Sequence, residues 1–69
     1  MFGNKQAKLE RLAQIAEFVE RRPWVTQSEI ARQLGIPLPT IHRDLPTLEE
    51  RGILLMEDGG GRLSLFKRQ

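Results

Sequence analysis

Thr26-Gln27-Ser28-Glu29-Ile30-Ala31-Arg32-Gln33-Leu34-Gly35-Ile36-Pro37-Leu38-Pro39-Thr40-Ile41-His42-Arg43-Asp44-Leu45 is the stretch that decides the fold. Its first four residues form a capping box: the Thr26 hydroxyl accepts from the backbone of Glu29, and the Glu29 carboxylate reaches back. A short helix is expected from Gln27 to Leu34, with Ile30, Ala31 and Leu34 inward. Gly35 ends it, because a tight turn between helices needs a positive φ. Ile36-Pro37 forms the turn, with Pro37 at the N-cap position of the next helix. That helix is read from about Leu38 to Arg51, ended by Gly52, with Ile41, Leu45 and Leu48 as its buried stripe. Asp44 lies beside the stripe and reads as a packing or ion-pair residue. Pro46 removes the bond to the His42 carbonyl and is expected to bend the helix.

Upstream, Asn4 is the expected N-cap of a helix from Lys5 to Arg22. Leu9, Leu12, Ala13, Ile15, Ala16 and Val19 fall in one broad apolar arc, with Phe18 at its edge. An arc this wide suits a central helix that touches several elements, or one that also meets another chain. Pro23 stops the helix, Trp24-Val25 reads as a very short extended segment, and Trp24 is expected to pack at the helix exit. Downstream, Ile53 to Glu57 is a short apolar run and Arg62 to Phe66 alternates. Asp58-Gly59-Gly60-Gly61 between them is a turn, so the pair reads as a β-hairpin. Lys67-Arg68-Gln69 reads as a basic tail.

Two helices joined by a short turn containing Gly make a helix-turn-helix, and the hairpin makes it a winged one. The fold class expected is therefore mainly α (α+β): three helices and a C-terminal two-stranded wing at 53–66, in one domain. Length agrees, since 69 residues allow one domain. The chain has no cysteine and a single histidine, so thiolate and multi-histidine metal sites are excluded. No cofactor and no enzymatic activity are expected. No apolar run approaches a membrane span, and the N-terminal residues carry no secretory signal. The expected compartment is the cytoplasm.

Eleven Lys and Arg against nine Asp and Glu give a net charge of +2, so the placement of charge matters more than its sum. In a helix-turn-helix the second helix enters the major groove and the first crosses the backbone. Arg43 points outward in the N-terminal half of the 38–51 helix, where Arg pairs with guanine O6 and N7. His42, Thr40 and Pro39 are its neighbours at the same end. Ser28 and Arg32 are candidates for phosphate contacts from the preceding helix, and Arg62 from the wing. Double-stranded DNA is the expected partner, with a homodimer through helix one as the usual way to bind two half-sites. A winged helix used only as a protein-interaction module is the alternative, motivated by the modest net charge and by Glu57 and Asp58 in the wing.

Thr40-Ile41-His42-Arg43-Asp44-Leu45, with Leu48-Glu49-Glu50-Arg51-Gly52-Ile53-Leu54 after it, resembles the N-terminal winged helix of DeoR-type bacterial repressors. Ser28-Glu29-Ile30-Ala31-Arg32-Gln33-Leu34-Gly35-Ile36 is similar too, so the resemblance runs from about Leu9 to Leu65. It implies duplex DNA binding and transcriptional regulation, with the third helix in the major groove and the wing along the backbone or minor groove. Three departures stand out. Pro46 occupies a position that is usually polar or charged, and Pro37 replaces the usual Ser or Thr cap. These 69 residues also hold no small-molecule sensor domain, so control through abundance, oligomerisation or a partner is expected.

Overall fold

The computed structural model describes the backbone of residues 4–68 and the side chains of residues 6–68. Helix α1 (Asn4–Arg21) is followed by strand β1 (Val25–Thr26) and helices α2 (Gln27–Leu34) and α3 (Leu38–Glu50). Strands β2 (Ile53–Glu57) and β3 (Arg62–Arg68) complete the fold. Asn4, expected as a cap, is already helical; its side chain and the residues before it lie outside the described residues. At the other end Arg22 is no longer helical, although its N–H still donates to the Phe18 carbonyl at 2.9 Å before Pro23 ends the ladder.

The sheet has three antiparallel strands in the order β1-β3-β2, not the two of a simple hairpin. Val25 pairs with Leu63 and Thr26 with Arg62. The extended segment therefore begins at Val25. Trp24 instead takes a left-handed φ of 67°, and its N–H donates to the Leu63 carbonyl at 2.6 Å. Pro23 has a fixed φ, so the reversal that carries the chain from α1 onto the sheet falls on Trp24. Trp24, expected to pack at the helix exit, is 45% exposed and stands outside the core.

On the other side β3 pairs with β2 from Leu63↔Glu57 to Arg68↔Ile53. Leu55 faces Leu65 while Leu54 faces Lys67, so Phe66 is the extra residue of a bulge and stands 63% exposed. The expected basic tail is thus strand: Lys67 and Arg68 are paired, and Arg68 reaches Glu20 of α1 at 3.1 Å. Gln69 lies outside the described residues. At the tip Asp58 organises the turn. Its Oδ1 accepts from the N–H groups of Gly60 and Arg62, each at 2.9 Å, and Gly61 takes a φ of 80°.

One core joins these elements. Leu12, Ile15, Ala16 and Val19 of α1 are buried with Val25, Ile30, Ile36, Ile41, Leu48 and Leu63. Helix α1 packs against α2, α3 and β3, which accounts for most of its wide apolar arc. What the arc leaves to solvent is Leu9, 40% exposed, and Ala13. In α2, Ile30 is fully buried while Ala31 and Leu34 are only partly so.

The predicted stripe of α3 needs one correction. Its buried residues are Ile41, Asp44 and Leu48; Leu45 is half-buried on the flank. Asp44 is 2% exposed because Arg11 of α1 meets it with two hydrogen bonds, Nε to Oδ2 at 2.5 Å and Nη2 to Oδ1 at 3.1 Å. A buried carboxylate needs such a partner, and a bidentate guanidinium is the strongest one available.

Candidate nucleic-acid interface

The turn between α2 and α3 is built as the sequence implies. Thr26 Oγ1 accepts from the Glu29 N–H at 3.1 Å, and Glu29 Oε1 accepts from the Thr26 N–H at 3.0 Å. The Thr26 N–H and then the Thr26 hydroxyl, both donating to Glu29 Oε1, hold the Glu29 carboxyl below its ordinary pKa; nearby Arg32 and Arg62 push in the same direction. Gly35 has a φ of 68° and donates its N–H to the Ala31 carbonyl, which stops α2 in one residue. The Pro37 carbonyl then accepts from the N–H groups of Thr40 at 2.9 Å and Ile41 at 3.2 Å, so α3 starts without a side-chain cap. Helix α3 is continuous from Leu38 to Glu50 across Pro46, and Arg51, expected as its last residue, is the C-cap.

Burial fixes which side of α3 faces out. With Ile41, Asp44 and Leu48 inward, a turn of about 100° per residue places Pro39, Arg43, Pro46 and Glu50 on the opposite line. Pro39 and Arg43 are exposed, as expected, and so is His42 on one flank. Thr40 and Thr47 share the other flank and are half-buried. Thr47 Oγ1 donates to the Arg43 carbonyl at 3.4 Å, the local bond open to a hydroxyl within a helix. Glu49 and Glu50 are exposed, and Glu50 falls on the same outward line as Arg43, about two turns further on.

Ser28 and Arg32 are exposed on α2. Arg62 is exposed on β3 beside Thr26, and its guanidinium lies over Gly60 of the turn. The carboxyl of Asp58 is occupied by the backbone of the turn. Its pKa is held down first by the Arg62 N–H, so it shapes the wing rather than pairing with an Arg side chain. The half-buried Gln27 lines a small cleft with Leu45, Pro46, Leu55 and Leu63, and its Oε1 is buried without a partner.

The arginines differ in their partners, and Arg22 and Arg51 are among those without an ion pair in the described residues. Those in ion pairs are Arg11 with Asp44, Arg21 with Glu17 and Arg68 with Glu20, and each pair involves α1. Among the described residues Arg32, Arg43 and Arg62 form no ion pair within 4 Å. Glu17 and Glu20 of α1 thus take Arg21 and Arg68, while Arg32 of α2, Arg43 of α3 and Arg62 at the start of β3 have no such partner among the described residues. The sequence did not single out Arg11. The signal was its place one turn before the fully buried Ile15, where an Arg must find a carboxylate or reach past the core. No group of three or more metal-binding side chains is present among the described residues, and no described helix is long and apolar enough to cross a membrane.

A capped helix, a left-handed Gly turn, a second helix with an open Arg and a three-stranded sheet define a winged helix-turn-helix DNA-binding domain of the transcriptional-regulator class. The profile of the IclR helix-turn-helix domain matches residues 8–58, and the chain belongs to that family. It is 40% identical over 55 residues to the lactose phosphotransferase system repressor of Staphylococcus epidermidis (strain ATCC 35984). The same identity and length hold for the lactose phosphotransferase system repressor of Staphylococcus aureus (strain NCTC 8325). Each match covers 80% of this chain but 22% of the relative. The chain thus spans about a fifth of the length of these curated relatives. No solved structure matches it.

Proposed function

We propose that the domain reads double-stranded DNA with the N-terminal half of α3 in the major groove, as the DNA-binding part of a DeoR-type repressor. Arg43 carries the reading: it is exposed, free of acid partners among the described residues and central on the outward line of α3. It pairs with a guanine edge, while Pro39, Thr40 and His42 contact neighbouring bases or phosphates. Ser28 and Arg32 fix register on the backbone from α2, and Arg62 does so from the wing. The named relatives repress a lactose phosphotransferase system, which supports a sugar-utilisation operon as the target. A two-fold dimer on paired half-sites belongs to this reading, and Leu9 and Ala13 are the apolar residues that α1 offers a second copy.

The test is selection from random duplex DNA, with wild type and Arg43→Ala in parallel. An enriched motif that loses its guanine position in the variant is the expected result, and its symmetry gives the half-site spacing. A second reading, a protein-interaction module, draws on the exposed Trp24, Met56 and Phe66. No enrichment at low salt would favour it over DNA reading.

A further inference from the structure

The geometry points to Arg11 as the positioning residue for sequence reading: through Asp44 it sets the rotation of α3 about its own axis and so aims Arg43. This rests on the proposal that α3 reads bases. The apolar part of the stripe, Ile41 and Leu48, is held by non-directional packing, which tolerates small rotations. The Arg11–Asp44 pair is directional. Two hydrogen bonds join a planar guanidinium on α1 to a carboxylate on α3 that is 2% exposed, across 33 residues of sequence.

Arg11 sits on a well-anchored base, since Leu12, Ile15, Ala16 and Val19 supply much of the core. Asp44 immediately follows Arg43, so a rotation that moves one carboxylate oxygen off its donor swings the Arg43 side chain with it. A rotation of about 20° displaces a point ~6 Å from the helix axis by about 2 Å. That is enough to break a bidentate contact to a base, because hydrogen bonds weaken steeply beyond their narrow distance range. For stability alone, apolar residues of similar volume would serve as well as the pair. A directional contact one residue from the reading Arg is what they do not supply.

The decisive variant is Arg11→Lys, which keeps the charge and loses the planar fork. Two duplexes are compared by fluorescence anisotropy at a temperature where the protein is folded: the motif enriched by wild type and a shuffled sequence of the same composition. Affinity for the motif is expected to fall about tenfold, with affinity for the shuffled duplex and the salt dependence unchanged. A purely structural role would lower both affinities in proportion to the folded fraction. The double variant Arg11→Met/Asp44→Leu keeps a packed helix interface without charge and decides the matter if Arg11→Lys does not fold. It is expected to unfold no earlier than wild type while losing the same discrimination. A folded variant of either kind with the wild-type ratio of affinities overturns the assignment. A wild-type chain that binds both duplexes equally overturns the DNA-reading proposal instead, and this one with it.

Discussion

Thr26 and Arg62 stand side by side in the ladder between β1 and β3, so the cap of α2 and the start of the wing's return strand form one unit. The same Thr26 is hydrogen-bonded to Glu29, and Glu29 feels both Arg32 and Arg62. Two cations from distant parts of the sequence are thereby held on one side of the domain. Replacing either by Ala is expected to weaken binding to all duplexes alike. Each change should also reduce the slope of log K against log salt by roughly one, the signature of a lost phosphate contact. Titrations over a salt series check this.

Arg43→Ala should behave differently. It is expected to lose about 1–3 kcal/mol of discrimination at one base pair and to leave the salt slope nearly unchanged. Competition between the selected motif and its single-base variants gives the answer. A uniform loss across all variants would make Arg43 a phosphate contact.

Removing one partner of the Arg11–Asp44 pair should be asymmetric. Arg11→Ala leaves a carboxylate buried and alone, at a cost of about 3–5 kcal/mol. Asp44→Ala leaves a guanidinium whose side chain is already 30% exposed and can turn to water, so the loss is smaller. Urea unfolding of both variants orders the two costs.

The turn between α2 and α3 has a backbone requirement that space does not set. A Cβ at Gly35 would meet nothing within 4 Å, but the φ of 68° is unfavourable for any L side chain. Gly35→Ala is expected to destabilise the fold by about 1–2 kcal/mol. The thermal midpoint should fall by about 4–8 °C for each of those kcal/mol.

Acid should loosen the same turn and the wing. Glu29 and Asp58 have pKa values depressed below their ordinary 4.5 and 3.8 by backbone hydrogen bonds. Their contribution is complete above those ordinary values and is lost as pH falls through the depressed ones. Glu29→Gln keeps a capping partner and removes one titrating group. Between about pH 5 and about pH 3 its midpoint should therefore fall less than that of wild type. Thermal unfolding across that range tests the sign.

What could be read from the sequence was local. The capping box, the left-handed Gly35 and the Asp58 turn are each settled within about four residues, so their chemistry is visible along the chain. The outward direction of Arg43 was also legible, because helical periodicity turns a spacing into a direction. The Arg11–Asp44 pair spans 33 residues, and periodicity alone favoured Leu45 over a charged residue for the buried position. The two-residue β1 has no period to detect and exists because β3 offers it an edge. Lys67 and Arg68 read as a tail because charge suggests solvent, yet their backbones pair with β2 while their side chains stay exposed.

Trp24 is the chain's one tryptophan, and there is no tyrosine. Its emission therefore comes from a single site, the junction where α1 hands over to the sheet through the bond to Leu63. A shift in its wavelength on adding duplex DNA would report the wing settling on its target, and quenching by iodide would report the ring's access to solvent. The domain carries its own optical probe at the joint between helix bundle and wing, with no label attached.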